Sequence, residues 1–374
     1  MESFNRNIPF FDYSATFSCN ETDYLHILKD VLTRGAYIMQ KDLQNFENNL
    51  ANYVGVKHAI GTADGTMALM MSLLAIGIGK GSEVILPSHT FVATAAAVHH
   101  VGAKPVLADI WSDHLIDPDS VESLITSKTR AIIPVQLNGR TADMDRLISI
   151  TDKYNILIIE DACQGLGALY KGKAAGSFGL AGAFSFYPSK TLGCFGDGGA
   201  LVTDDDSVAE QVRLLRDHGR DRLGNVRCFG FNARLDNIQA AILNYKLKNY
   251  QEVVERRRAI ARLYKERLGY VEQLNLPPGP DNDSDHFDVY QNYEIEAEDR
   301  DNLRDYLEKH GVGTLIQWGG KAIHQFRSLN LGEIHLPKTD NLFKKAMMLP
   351  IYPNLANSEL DYICETIRNF YKKF

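Results

Sequence analysis

What this chain lacks narrows its function first. Its five cysteines, at positions 19, 163, 194, 228 and 364, are odd in number and scattered, and none forms a C-x-x-C pair. That spacing argues against a disulfide framework and against a zinc site, so no metal is expected. Nor is there an excess of positive charge. Forty Lys and Arg against 47 Asp and Glu leave a net charge of −7 and a pI near 5.9. A global basic field for nucleic acid is thereby excluded. No uninterrupted apolar run reaches membrane-spanning length, and the opening MESFNRNIPFF has no basic region ahead of an apolar core. The expectation is a soluble, cytoplasmic protein that binds neither nucleic acid nor membrane. Internal repeats and low-complexity segments are missing as well.

What remains is ordinary for a globular enzyme: 374 residues, 45% hydrophobic and 23% charged. From about residue 60 to 205, short runs rich in Val, Ile and Leu recur: SEVILP, KPVLADI, RAIIPVQ, NILIIED and GALVT. Between the first four lie helix-like stretches such as TFVATAAAVHHVG and DMDRLISITDKY. Nearly continuous apolar strands separated by helices predict an α/β fold, with a mainly parallel sheet covered on both faces. Ligands of such sheets gather beyond the carboxyl ends of the strands. After residue 205 the pattern turns helical, and RLDNIQAAILNYKLKNYQEVVERRRAIARLYKERL is long enough to join two lobes. Its basic cluster, ERRRAIARLYKER, reads as a solvated helix face. A polar, Pro-rich loop over residues 274–286 leads into a small α+β lobe. The expected division is a large domain over residues 1–245 and a small one over 246–374.

Three features carry chemistry. Asp161 closes the strand NILIIED, at the mouth where ligands bind, though alone it would read as a cap for the next helix. GTADGTMALMMSLLAIG puts small residues before an apolar helix, whose free N–H groups and dipole suit a phosphate. It matches neither the dinucleotide nor the P-loop glycine pattern. Lys190 follows Ser185 by five residues and stands before glycines 193, 196, 198 and 199. A phosphate cradle, a strand-end acid and a lysine on a constrained turn are the partners pyridoxal 5'-phosphate requires. Its aldehyde condenses with an amine, and its ring nitrogen needs an acid in order to serve as electron sink.

With these blocks in view, the chain resembles the DegT/DnrJ/EryC1/StrS sugar aminotransferases, on the aspartate aminotransferase fold (fold type I). The likeness runs in order through GTADGTMAL, LPSHTFVATAAAV, EDACQGLGA, FSFYPSKTLGCFGDGGA, GFNARLDNIQAAIL and LPIYPNLANSELDYI. It implies a seven-stranded sheet in the large domain and catalytic roles for Lys190, as the cofactor's covalent partner and proton shuttle, and Asp161, at the ring nitrogen. It also implies cofactor contacts from Gly65, Thr66 and Ser185 to the phosphate, Phe91 over the ring and Gln164 near its hydroxyl. Asn232 matches the asparagine that reaches the neighbouring subunit's phosphate, which implies a homodimer with active sites at the subunit interface.

Two departures stand out. Asp64 occupies a position where relatives often have serine, so either it caps the helix or Ser185 and Asn232 carry more of the binding. The segment LIQWGGKAIHQF replaces a His-Tyr-Pro-like stretch, which leaves Gln317, Trp318, Lys321 and His324 as candidate substrate contacts. Arg220 and Arg234 are candidates for a diphosphate, with structural ion pairing as the alternative for each.

The resemblance implies transfer of an amino group from L-glutamate to a nucleotide-linked keto sugar, through pyridoxamine phosphate. NARLDNIQAAIL favours the 3-aminotransferases, with a 3-keto-6-deoxyhexose or related sugar as substrate. A 4-aminotransferase, a cyclitol (inosose) aminotransferase and a sugar-nucleotide-binding regulator stay open. A sugar 3-dehydratase would carry histidine in place of Lys190.

Overall fold

The alternating apolar runs fold into one seven-stranded sheet. In a computed structural model that describes residues 6–372, the strands are β1 (His58–Thr62), β2 (Glu83–Pro87), β3 (Lys104–Ala108), β4 (Thr129–Ile132), β5 (Leu157–Asp161), β6 (Ala181–Ser185) and β7 (Gly199–Thr203). Their spatial order is β1-β7-β6-β5-β4-β2-β3. Neighbours from β3 through β6 run parallel, whereas β7 is antiparallel to both β1 and β6. The α/β sheet expected from the sequence is therefore present. Its strands are buried on both faces, β2 and β7 at every residue, which is why they read as unbroken apolar runs rather than alternating ones.

Crossover helices cover the faces: Gly65–Ala75, Val92–His100, Met144–Tyr154 and Asp206–Arg216. The last two carry one apolar stripe each, Leu147 and Ile150 in one and Val208, Val212 and Leu215 in the other. Gly65–Ala75 has no polar stripe; Ala68, Leu69, Met71, Ser72 and Leu73 are all buried, and the helix belongs to the interior.

The C-terminal part builds a separate three-stranded sheet from Leu274–Asn275, Tyr293–Ala297 and Ala346–Leu349, antiparallel throughout. Helices Tyr250–Leu268, Arg300–Lys309 and Asn357–Tyr371 supply its core with Ile260, Tyr264, Leu303, Leu307, Leu360, Ile363 and Ile367. Ile8, from the start of the chain, is buried in that same core.

Two expectations are corrected here. The long helical pattern is two helices, Asn237–Lys248 and Tyr250–Leu268, because Asn249 leaves the helical region with φ −111° and ψ 18°. The cluster ERRR is not simply a solvated face, since Arg257 and Arg258 are buried. Arg257 donates to the carbonyls of Tyr290, Gln291 and Ile351, and Arg258 to those of Asp288 and Pro280. A guanidinium offers five donors in a fixed fork, so it can staple backbone carbonyls that a loop leaves without partners.

Candidate active site

The site forms where β5 and β6 end. Successive side chains of a strand point to opposite faces, so the adjacent acids Glu160 and Asp161 part company. Glu160 is buried on one side, accepting from the N–H groups of Gly176 (2.8 Å), Phe178 (2.6 Å) and Gly179 (3.1 Å) and from Gln136 Nε2 (2.7 Å). Burial raises its pKa despite those donors. Asp161 faces a cavity of about 430 Å³ on the other side. There Thr94 Oγ1 donates to Oδ2 (2.7 Å) and the Cys163 N–H to Oδ1 (3.2 Å). Both donors are neutral.

Beyond β6 the chain makes the turn that carries Lys190. The Lys190 N–H donates to the Tyr187 carbonyl at 2.8 Å. Gln291 grips the turn, accepting from Thr191 N–H (2.7 Å) and donating to the Ser189 carbonyl (3.0 Å). Gly193 lets it close, because a Cβ there would lie 2.6 Å from the carbonyl oxygen of Pro188. Lys190 lines the same cavity as Asp161. It keeps some solvent access, yet the surrounding protein penalises the ammonium and pulls its pKa below the ordinary lysine range, while Cys163 and Asp161 act in the opposite sense. An amine that gives up its proton readily is a usable nucleophile.

The third wall is the start of the Gly65–Ala75 helix. Asp64 caps it, its carboxylate accepting from Met67 N–H at 2.8 Å. At Gly65 a Cβ would stand 2.6 Å from Cys163 Sγ and 3.0 Å from Ser185 Cβ. Glycine therefore lets the helix start press against the strand ends. The N–H groups of Gly65 and Thr66, which a helix start leaves without intrahelical partners, then border the cavity beside Ser185. Phe91 and Tyr187 stand at the mouth, about half exposed. Gln164 Oε1 accepts from Asn138 N–H (2.8 Å) and Asn292 Nδ2 (3.2 Å), which leaves its Nε2 end to donate elsewhere.

The sequence and the fold match known proteins. The model of the DegT/DnrJ/EryC1/StrS aminotransferase family covers residues 18–368. The chain belongs to that family. It is 37% identical to the dTDP-3-amino-3,4,6-trideoxy-alpha-D-glucose transaminase of Streptomyces venezuelae, over 97% of this chain and 96% of that one. It is 38% identical to the UDP-2-acetamido-2-deoxy-3-oxo-D-glucuronate aminotransferase of Pseudomonas aeruginosa, over 91% and 94%. Among solved structures, ntda from Bacillus subtilis with bound cofactor PMP superposes with a TM-score of 0.89 at 31% identity, over 98% of this chain and 85% of that one. The protein is thus an aminotransferase.

Of the residues singled out in the sequence, the aminotransferase brings Lys190, Asp161, Gly65, Thr66, Phe91, Gln164, Ser185 and Trp318 to one cavity. Gln317 lies one step away, donating to Glu294 (2.8 Å) and to Asn138 (3.0 Å). Trp318, in the left-handed region at φ 50°, packs its ring 5.3 Å from that of His89. The others stand apart. Arg220 and Arg234 line a different, larger cavity of about 1150 Å³, and both pair with Asp217 at 2.9 Å. His324 is locked between Ser88 Oγ (2.7 Å) and Asp340 (3.0 Å), and Lys321 is exposed and lines neither cavity. Asn232 is exposed on the strand-like stretch facing Asp217, outside the Lys190 cavity of its own chain.

Sequence reading missed Thr94, which holds Asp161. A threonine inside the alanine-rich VATAAAV, one helical turn after Phe91, was its faint signal. It also missed a buried polar hub at Glu294. That carboxylate accepts from Gln317, from Asn138 Nδ2 (3.1 Å) and from His114 Nδ1 (3.2 Å). Burial opposes its charge, but His89 and His114 outweigh that and lower its pKa far below the usual range. No local pattern announces such a hub, because its members His89 and Glu294 lie 205 residues apart.

Proposed function

We propose that this aminotransferase moves the amino group of L-glutamate to the keto carbon, C3, of a sugar carried on a nucleoside diphosphate, using pyridoxal 5'-phosphate. The observation that carries the reading is the convergence of Lys190, Asp161 and the Gly65 helix start in one cavity. The residues present fit the cofactor. The cradle at Gly65 has no room for a Cβ, and two helix-start N–H groups and the Ser185 hydroxyl border it. Asp161, which lines the same cavity, is oriented by Thr94 and Cys163.

When bound, pyridoxal phosphate supplies an electrophilic carbonyl and an electron sink. Gly65, Thr66 and Ser185 would hold its phosphate, Phe91 would cover its ring, and Gln164 would donate from its uncommitted amide end. Asp161, held by neutral donors, would keep a proton on the ring nitrogen. Lys190, whose proton is easily lost in this setting, would accept and return a proton at the reacting carbon. Asn232 would serve the cofactor of a second copy, which makes the working unit a homodimer acting in the cytoplasm. We also retain the division at residues 245 and 246. The C-terminal core of Ile260, Tyr264 and Leu303 supports it, with Ile8 crossing from the first part into the second.

The decisive experiment incubates the pyridoxamine-loaded protein with nucleotide-linked 3-keto and 4-keto sugars, the free keto sugars and an inosose. The product is identified by mass spectrometry and NMR. Glutamate-dependent amination at C3 of the nucleotide-linked substrate is expected. Faster turnover of the 4-keto isomer would move the assignment to C4, and efficient turnover of the inosose would replace the nucleotide-sugar reading altogether.

A further inference from the structure

Gln164 reaches the Lys190 cavity with its amide already oriented, and the orientation is set from outside that cavity. It starts at Glu294. This residue stands on the strand Tyr293–Ala297 opposite Met348, and Met348 exchanges backbone hydrogen bonds with Leu315. The chain after Leu315 thereby delivers Gln317 to the carboxylate. Just upstream the same segment is tied down. Ile8 N–H donates to the Gly311 carbonyl and Gly313 N–H to the Ile8 carbonyl, both at 2.8 Å. The C-terminal part of the chain thus presents a firmly held carboxylate to the large sheet's loops.

An ionised carboxylate only accepts, so an amide that touches Glu294 must turn its nitrogen toward it. Gln317 does so through Nε2 (2.8 Å) and Asn138 through Nδ2 (3.1 Å). Asn138 Oδ1 is then the end left to accept. It takes Asn292 Nδ2 at 2.9 Å and Gln317 Nε2 at 3.0 Å. Three C-terminal residues therefore fix this one side chain. Its backbone is uncommon as well: Asn138 has φ 57° and ψ 8°, in the left-handed region that asparagine tolerates better than most residues. In that conformation its N–H donates to Gln164 Oε1 at 2.8 Å. Asn292 Nδ2 adds a second donor to the same oxygen at 3.2 Å. A flipped Gln164 would set its own NH2 group against both donors, so Nε2 is the end that remains for a ligand.

We infer that Asn138, pinned by Glu294, is a positioning residue: it holds the Gln164 amide with Nε2 ready to donate to the ring hydroxyl oxygen of bound pyridoxal phosphate. The inference rests on the reading that puts Gln164 beside that hydroxyl, and adds the residues that aim it.

The test follows the absorbance of the cofactor-loaded protein against pH, with no substrate present. A donor at the ring oxygen favours the form in which that oxygen is negative, so losing it raises the midpoint of the absorbance change. Gln164→Met should raise the midpoint by about one pH unit. Asn138→Gly keeps the left-handed backbone and changes no charge. It should raise the midpoint by about half a unit or more, and add almost nothing on top of Gln164→Met. Glu294→Gln also removes a charge, whose direct effect on the cofactor is the same whichever residue stands at position 138. Its shift should therefore be larger, by about 0.3 unit or more, in the otherwise unaltered protein than in the Asn138→Gly variant. A midpoint unmoved by Asn138→Gly, or shifts that simply add in the double variant, overturns the inference and leaves Gln164 at the hydroxyl. Equal shifts from Glu294→Gln in both backgrounds overturn the part given to Glu294. A midpoint unmoved by Gln164→Met defeats the underlying reading of Gln164, and the inference with it.

Discussion

The cavity around Lys190 and the larger one beside Arg220 are both lined with ionisable side chains, but they treat charge in opposite ways. In the larger cavity three arginines are paired with acids. Arg216 meets Glu47, and Arg220 and Arg234 share Asp217. In the smaller one Asp161 is held by a hydroxyl and an amide, and Lys190 forms no ion pair among the described residues. Matched charges cancel each other and contribute to the fold. Charges held by neutral groups remain available to a ligand, which is why perturbed groups in a cleft mark a site better than cavity size does.

If that contrast is sound, substitutions in the two cavities should damage different properties. The largest expected effect is from Lys190→Ala, which should lower transamination by on the order of a thousandfold or more while leaving the apo-protein's melting temperature nearly unchanged. A variant that keeps measurable turnover would show that another amine can take over. Next, Asp161→Asn should lose about a hundredfold or more in kcat and still bind the cofactor, as read by its absorbance. Near wild-type turnover would reduce Asp161 to a strand-end cap.

The reverse signature is expected at Arg216, whose guanidinium also donates to the Gly61 carbonyl at 2.9 Å. Arg216→Met leaves Glu47 unpaired and should cost about 3 kcal/mol or more in urea denaturation. The folded fraction should turn over at close to the normal rate. Thr94→Val removes one donor to Asp161 and should reduce kcat by about tenfold with little loss of stability. The smallest effect belongs to Arg220→Gln, at a partly exposed pair, where both kcat/KM and the denaturation midpoint should stay close to wild type, within about threefold for the former. A large rise in KM for the nucleotide sugar there would break the contrast and return Arg220 to the substrate.

The contrast also explains what could be read without coordinates. The strands, the crossover helices and the Lys190 turn are encoded locally, by runs of β-branched residues and by glycines that admit close backbone. Asp161 and Ser185 sit at strand ends and Lys190 on the turn that follows, so placing the strands places them. The division of labour among arginines was not legible in the same way. Arg216, Arg220 and Arg234 have the same chemistry, and only the partner distinguishes them, with Glu47 lying 169 residues from Arg216. Arg257 misled for a related reason. Its helix offers one face to the second core, and the carbonyls it staples belong to loops far along the chain. Trp318, a candidate substrate contact in the sequence, packs on His89 and lines the cavity of Lys190.

The clasp of Ile8 between Gly311 and Gly313 has a consequence in time as well as in space. It joins positions about 300 residues apart, so its closure carries a large entropic cost and cannot begin until nearly all of the chain has been synthesised. Most of the walls around Lys190 and Asp161 come from residues 64 to 197 and are complete much earlier. A nascent chain therefore lays down nearly all of the cavity around Lys190 before the clasp that ties its first residues to the C-terminal part can close.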